Sequence, residues 1–150
     1  MAALKAELKI ENKIFNVMSL DYELYMPCSN NKKPSQTAAQ GGMINFTIRS
    51  PLKETFLFHE WLLNPKEKKE GYFVLPITHR DEQRSKTMSF YLAHCISLHE
   101  SYNFSDSSQM YMRITILAAA IKFSDTVAFK QPWLVGADYN LVFPKEEDTK

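Results

Sequence analysis

The residue types that most often carry chemistry are few in this chain and widely separated. The chain has four histidines and two cysteines: His59, His79, His94, His99, Cys28 and Cys95. They form neither the His-x-x-x-His pair of a zinc-binding helix nor a Cys/His cluster. His94 and His99 are five apart on a predicted strand, so we expect them on opposite faces of a sheet. The sequence therefore predicts no metal site and no cofactor.

Catalytic patterns are equally hard to find. There is no Gly-x-Ser-x-Gly nucleophile elbow and no glycine-rich phosphate loop, and the chain holds only four glycines. The carboxylates of Glu54, Glu60, Asp81 and Glu100 have no spacing that predicts an acid–base pair. We expect a protein that is not an enzyme, and a hydrolase that uses these unlinked carboxylates is the weakest alternative.

Charge and hydropathy limit the partners and the location. Eighteen Lys and Arg residues oppose seventeen Asp and Glu residues, a formal net charge of +1. Such a balance favours neither nucleic acid nor an anionic membrane as a partner. The first residues lack the apolar stretch of a signal peptide, and no run of about 18 apolar residues predicts a membrane span. Two cysteines do not predict a disulfide framework, so we expect folding in the cytoplasm.

Period-two alternation of apolar and polar residues dominates the chain and predicts strands with one buried face. Glu11-Asn12 is typical of a tight hairpin turn between the first two strands. Two later apolar stripes are predicted each to occupy one sheet face: Met18, Leu20, Tyr22, Leu24 and Met26, and Met88, Phe90, Leu92, His94, Ile96 and Leu98. The polar stretch 78–86 is predicted to be a turn or exposed loop. The pattern predicts a mainly β protein, a small closed barrel of about six to eight strands.

One α-helix is predicted on the flank of this barrel, over about residues 55–64. Thr55 is a candidate N-cap, and the apolar residues Leu57, Phe58, Trp61 and Leu62 share one side at helical spacing. Pro65 follows the last helical residue and disfavours continuation. We therefore expect the helix to end before it.

Two segments depart from the alternation. Residues 27–42 form a polar loop longer than a compact hairpin needs, which is typical of a functional or disordered segment. We divide the chain into a barrel domain, residues 1–122, and a C-terminal extension, residues 123–150, that is partly packed and has a candidate disordered end. Trp133, between Pro132 and Leu134, is the candidate anchor of this tail, on another protein or on its own barrel.

In order along the chain, these features resemble the Hcp (TssD) family, the tube protein of type VI secretion. The resemblance covers roughly residues 4–122. It is carried by Lys5-Ala-Glu-Leu-Lys-Ile with Phe15-Asn-Val, by Lys33-Pro34-Ser35 in the long loop that closes at Gly41-Gly42, by the block from Phe58 to Pro65 with Gly71 after it, and by the strands that include Met88 to Phe104 and Met110 to Ala120. Lys32 and Lys33 stand where a divergent branch of the family has Gly and Arg.

The resemblance implies that six copies form a ring and that rings stack into a tube inside a contractile sheath capped by a spike protein. Effector proteins travel with the tube, and the protein is exported from the bacterial cytoplasm to the extracellular space or a target cell. The ring-stacking candidates lie in the loop: Asn30, Lys32, Lys33, Pro34, Ser35, Gly41 and Gly42. Trp61 and Pro65 are the helix or interface candidates.

Polar residues on the second and third strands are candidates for the face that lines a channel. They are Asn45, Thr47 and Arg49, with Ser19 and Asp21 beside them. An ordinary solvent-exposed face explains the same pattern. Two further functions remain open, the tube protein of a phage-like contractile injection system and a monomeric β-barrel that binds a small ligand in an apolar pocket.

Overall fold

The computed structural model describes residues 5–28, 39–53, 55–105 and 109–144. Eight strands and two helices account for its regular structure. The strands are β1 (Glu7–Ile10), β2 (Lys13–Tyr22), β3 (Met43–Arg49), β4 (Lys69–His79), β5 (Glu82–Asn103), β6 (Gln109–Leu117), β7 (Ala120–Phe123) and β8 (Val127–Lys130), and the helices are α1 (Leu57–Leu63) and α2 (Gly136–Val142). No described helix is both long and apolar enough to cross a membrane.

Six of the strands close on themselves in the order β4-β1-β2-β3-β6-β5, because β5 also pairs with β4. All these pairings are antiparallel. Strand β7 continues the line of β6 along β5, and β8 pairs with β7 at the outside. The predicted mainly β fold and closed barrel are confirmed. The predicted division at residue 122 falls within β7 and stays a prediction.

Large apolar side chains fill the barrel interior. Phe46 lies at its centre with its ring 5.1 Å from that of Phe73 and 6.1 Å from that of Phe58, both edge to face. Such aromatic pairs contribute about 0.5–1.5 kcal/mol beyond the burial of their area. Helix α1 contributes Leu57, Phe58 and Trp61 to the same core, as the helical spacing predicted.

The start of α1 differs from the prediction. Phe56, not Thr55, occupies the N-cap position, and no side chain caps the helix by a hydrogen bond. The packing of its three buried side chains holds this short helix in place, because a helix of two turns has little stability of its own. The hairpin turn, by contrast, is as predicted: Glu11 and Asn12 adopt φ values of 50° and 62° between the paired residues Ile10 and Lys13.

Bulges break both predicted stripes. In β2 the register shifts between Val17 and Ser19, so that Met18 leaves the alternation and is 49% exposed. In β5 the backbone at Leu92 has φ 51°, and a second shift between Cys95 and Ser97 displaces Ile96. Each extra residue reverses which side chains point inward. The single-face prediction is therefore wrong for both stripes.

The stretch 78–86, predicted as a turn or loop, is largely strand. β4 and β5 continue as a two-stranded ribbon whose pairs run from Leu75 with Lys86 to His79 with Glu82. The turn is limited to Arg80 and Asp81, and most of the ribbon is exposed. Because neither face of the ribbon has a core to cover over residues 78–86, that stretch shows no apolar alternation.

Candidate assembly site

One part of the barrel carries mostly polar side chains on its outer surface. We call it the polar sheet: β2 from Val17 onward, β3, β6, and β5 from His94 onward. Along β3 and β6 the buried residues alternate with outward ones, and the outward residues pair across strands. The polar residues of this outer face are Ser19, Asp21, Asn45, Thr47, Arg49, His94, Ser97, His99, Ser101, Tyr111, Arg113 and Thr115, and the apolar pair Met43 and Leu117 lies on the same face beside His94. The three predicted channel residues are among them.

A hydrogen-bonded row crosses this face. The Thr115 hydroxyl donates to Asn45 Oδ1 at 2.6 Å, and Asn45 Nδ2 donates to Asp21 Oδ1 at 3.1 Å. Asn45 thus satisfies both sides of its amide group and links three strands. In the next row Thr47 lies between Ser19 and Arg113. The predicted candidates Asn45 and Thr47 are therefore held in ordered rows.

His94 and His99 both lie on this outer face, and the prediction that they oppose each other is wrong. The bulge at Ile96 adds one residue between them, which restores the same side. His94 pairs with Leu117 and His99 with Arg113. Among the described residues no group of three or more His, Cys, Asp or Glu side chains is placed to hold a metal ion.

Both edges of the polar sheet lack a partner strand in the described parts of the chain. β1 pairs with β2 only as far as Asn16, and β4 pairs with β5 only as far as Ala93. Each open edge carries one of the bulges, with Met18 49% and Ile96 44% exposed. Open edges are surfaces on which a strand of another chain can pair. Sequence periodicity did not indicate that these two residues are exposed, because both belong to the apolar stripes that were predicted each to occupy one sheet face.

The long loop leaves the polar sheet where β2 ends and β3 begins, and the structure describes its base. Tyr25 and Gln40 exchange backbone hydrogen bonds of 2.9 and 2.7 Å, and the Tyr25 hydroxyl donates to Gln40 Oε1 at 2.9 Å. Five of the predicted stacking residues lie outside the described residues: Asn30, Lys32, Lys33, Pro34 and Ser35.

Gly41 and Gly42 close the loop against the C-terminal part of the chain. Gln131 Nε2 donates to the Gly41 carbonyl at 2.8 Å and to that of Ala118 at 3.3 Å. Gly42 has φ 101°, and a Cβ there would collide with Gln131 Nε2 and lie 2.9 Å from the Ala118 carbonyl. Only glycine fits both constraints. Gln131 is a structural residue that no sequence motif indicated.

The two helix candidates have different surroundings. Trp61 is 1% exposed, and its Nε1 donates to the backbone carbonyls of Glu67 at 3.1 Å and Ala93 at 3.2 Å. It is a helix residue, as predicted, but it offers no surface to another subunit because the chain's own core encloses it. Pro65 is exposed in the turn after α1.

The tail packs on the barrel through residues other than Trp133. Leu134 and Val142 are buried against Ala119 and Ala120, while Trp133 is 56% exposed. Lys122 Nζ donates to the Val142 carbonyl at 2.8 Å. Leu134 and Val142 therefore anchor the tail to its own barrel, and Trp133 remains a candidate only for contact with another protein. Residues 145–150, the predicted disordered end, lie outside the described residues.

One group of catalytic residue types comes together at the rim of the polar sheet. The Ser50 hydroxyl donates to Glu100 Oε2 at 2.7 Å, and His59 Nε2 lies 3.6 Å from Glu100 Oε1. No hydrogen bond between Ser50 and His59 is described, so the hydroxyl faces the carboxylate and not the imidazole base that would activate it. The arrangement connects α1 with β5 and does not form a nucleophile–base pair.

The comparisons with known proteins agree with this fold. No curated protein matches the chain. Among solved structures it is similar to Hcp1 from Flavobacterium johnsoniae, with 22% identity and TM-score 0.69, covering 85% of this chain and 100% of that one. It is also similar to Hcp1 from E. coli EAEC 042, with 10% identity and TM-score 0.65 over 87% and 99% of the two chains.

A type VI secretion system effector from Yersinia pestis has the same fold, with 9% identity and TM-score 0.60 over 84% of this chain and 99% of that one. At these identities the structures show the fold alone. The family itself is shown by the model for hemolysin coregulated protein Hcp (TssD), which matches residues 2–134, most of the chain. The chain therefore belongs to the Hcp (TssD) family, the tube proteins of type VI secretion.

Proposed function

We propose that this tube subunit assembles as a ring of six copies, with the polar sheet facing a central channel. The observation that carries the proposal is the combination of a polar outer face with two edges that no described strand pairs. The β2 edge and the β5 edge are different surfaces. A contact between the β2 edge of one copy and the β5 edge of the next is heterologous, and such contacts close into rings.

The exposed apolar side chains on these edges support the same assembly. Met18 and Ile96 lie at opposite edges of a face that is mostly polar. Full burial of such a side chain from water contributes about 1.5–3 kcal/mol, and about half of this remains to be gained at Met18 and Ile96, which are 49% and 44% exposed in the single chain. Edge pairing would therefore combine backbone hydrogen bonds with apolar burial and leave the polar face in contact with water.

The long loop and an open cleft, at opposite ends of the polar sheet, are the features that support stacking of rings. The long loop leaves at the end where β2 stops, and an open cleft of about 960 Å³ lies at the opposite end, lined by residues that include Lys13, Leu52 and Met110. We propose that the loop, including Asn30 to Ser35, reaches the next ring. A contact between opposite ends is also heterologous but does not close, so it propagates as a tube.

The further partners follow from family membership. Hcp proteins are exported components of the secretion system. We propose that this chain folds in the cytoplasm, that its tube lies within a contractile sheath below a spike protein, and that effector proteins leave with it. Trp133 is the candidate contact for one of these partners. The filled interior around Phe46 and Phe73 argues against the alternative of a ligand-carrying barrel, which needs an internal cavity.

Light scattering of the purified chain tests the ring. Six chains of 17.4 kDa give a mass of about 104 kDa, and we expect this species together with ring-shaped particles in negative-stain images. The variant Ile96→Lys should lower the ring fraction at least about tenfold, since it places a charge at the edge contact.

The matched control is Val127→Lys, which changes a similarly exposed apolar residue, 61% exposed on β8, away from the polar sheet. It should assemble as the parent chain does. A monomer of 17.4 kDa at high concentration, or equal loss of rings in both variants, contradicts the proposed assembly.

A further inference from the structure

Two arginines stand together on the polar face without a carboxylate partner. Arg49 and Arg113 are both exposed, and neither is among the ion pairs of the described residues. Asp21, the one acidic residue on this face, accepts a hydrogen bond from Asn45 two rows away from Arg49. Within the part of the chain that the structure describes, no carboxylate forms an ion pair with either arginine; the nearby Glu100 accepts a hydrogen bond from Ser50 and lies beside His59.

The strand register places the two arginines at neighbouring positions on the same face. Arg113 pairs with Thr47, and Arg49 pairs with Tyr111, so the arginines are diagonal neighbours across β3 and β6. Such neighbours have Cα atoms about 7–8 Å apart. Both strands are central in the polar sheet, so neither arginine lies on an edge that ring formation would cover. Lys13 and Lys53 in the adjoining cleft add to the same positive region.

We propose that Arg49 and Arg113 form a cationic collar that binds an acidic polypeptide segment inside the channel. The inference rests on the proposed ring, in which six copies repeat the pair around one mouth of the channel. Guanidinium groups bind carboxylates with two parallel hydrogen bonds, and sixfold repetition raises the apparent affinity without any new type of contact. The class of cargo selected is a protein with a carboxylate-rich surface or tail.

The surroundings of the collar favour an acidic polypeptide over nucleic acid. Single-stranded nucleic acid is held by several stacked aromatic side chains in a basic groove. On the outer face of the polar sheet as described, Tyr111 is the one aromatic side chain, and its cross-strand partners are Arg49 and Ser101, so no second ring lies beside it for stacking. The chain as a whole carries a net charge of only +1.

The test measures binding of a fluorescent poly-glutamate peptide to assembled rings by anisotropy, at increasing salt. We expect binding that weakens with salt and that falls at least about tenfold in the double variant Arg49→Gln/Arg113→Gln. The matched control is Arg80→Gln/Arg84→Gln, which removes the same charge from the exposed β4–β5 ribbon and should bind as the parent does. If the double variant fails to assemble, the single variant Arg113→Gln, on a central strand of the polar sheet, takes its place in the binding measurement.

Light scattering on the same samples separates the two proposals. Intact rings that do not bind the peptide, or that lose equal affinity in both double variants, overturn the collar and leave the ring standing. Tighter binding of single-stranded DNA than of poly-glutamate also overturns it. Absence of rings in the parent chain contradicts the proposed function itself.

Discussion

The two halves of β5 have different surroundings although they belong to one strand. The first half, as far as Ala93, pairs with β4, and its residues from Met88 to Tyr91 pair with β7 as well. The second half, from His94, pairs with β6 alone. Phe90 in the first half is fully buried, whereas Ile96 in the second is 44% exposed. The bend at Leu92, with φ 51°, separates the halves.

The two halves of β5 therefore have different roles, one in the folding of a single chain and the other in its assembly with further copies. The first half of β5 closes the barrel against β4 and places Phe90 in the core, so substitutions at Phe90 affect the stability of one chain. The second half closes the barrel against β6 and buries Cys95, but no described strand pairs with its other edge, where Ile96 is exposed, so this edge is available for another copy. Substitutions of Phe90 and Ile96 should therefore separate folding from assembly.

The largest expected effect is on folding, from Phe90→Ala. Phe90 is 0% exposed, with its ring 5.6 Å from that of Phe73, and its removal leaves a cavity in the centre of the core. We expect a loss of about 3–5 kcal/mol in the free energy of unfolding, measured with urea. In the second half, Ile96→Ala should change the unfolding free energy by less than about 1 kcal/mol and should reduce ring formation. Similar losses of stability in the two variants would contradict the assignment of Phe90 to folding and of Ile96 to assembly.

A smaller effect is expected at Lys69, which pairs with Ala93 where the first half of β5 ends. Burial by itself lowers the pKa of Lys69, but hydrogen bonds to Glu11 and Glu67 outweigh it and raise that pKa above the ordinary 10.5. A raised pKa in the folded state means that the charged lysine stabilises the fold at neutral pH. This contribution is lost as the pH rises through the folded-state pKa.

We expect Lys69→Met to cost about 1–2 kcal/mol in urea unfolding at pH 7, and the difference from the parent chain should shrink above about pH 10.5. The neighbouring Lys68→Met is the control, since Lys68 is 41% exposed and lies 3.8 Å from Asp138. Its effect should stay below about 0.5 kcal/mol. If the loss of unfolding free energy in Lys69→Met does not change at alkaline pH, then packing of the Lys69 side chain, and not its charge, stabilises the end of the β4–β5 pairing.

Much of the fold could be predicted from alternation and turn chemistry. Apolar residues such as Ile44, Phe46 and Ile48 mark buried positions wherever a strand runs without interruption, and the turn at Glu11 and Asn12 needs residues that tolerate positive φ. Bulges could not be predicted, because Met18 and Ile96 are as apolar as the core residues around them. The ribbon was missed for the opposite reason, since exposure of both faces removes the alternation.

The candidate site was predictable in composition but not in arrangement. The polar residues Asn45, Thr47 and Arg49 alternate with core residues, so their shared outward face follows from the sequence alone. That Arg113 stands beside Arg49 depends on the register between β3 and β6, which no local pattern encodes. Gln131 was missed because it acts through Gly41, ninety residues away along the chain.

Cross-linking between the two open edges tests whether the β2 edge of one copy contacts the β5 edge of the next. The variant carries Ser19→Cys on β2 and Ser101→Cys on β5, with Cys28→Ser to remove the exposed native thiol. Cys95 stays in place, since burial raises the pKa of its thiol to about 11 and keeps it protonated at neutral pH. Within one chain the two new thiols lie three strand spacings apart across the sheet and two residues apart along it, roughly 16 Å, which a shorter bismaleimide linker does not span.

Contact between the β2 edge and the β5 edge predicts a ladder of cross-linked species that ends at six chains on a denaturing gel, while each single-cysteine variant stays monomeric. A cross-linked dimer from either single variant would mean that the same edge of two copies is in contact, since one thiol per chain can join only two chains. Intact rings without any ladder from the double variant would mean that the polar sheet does not close the ring.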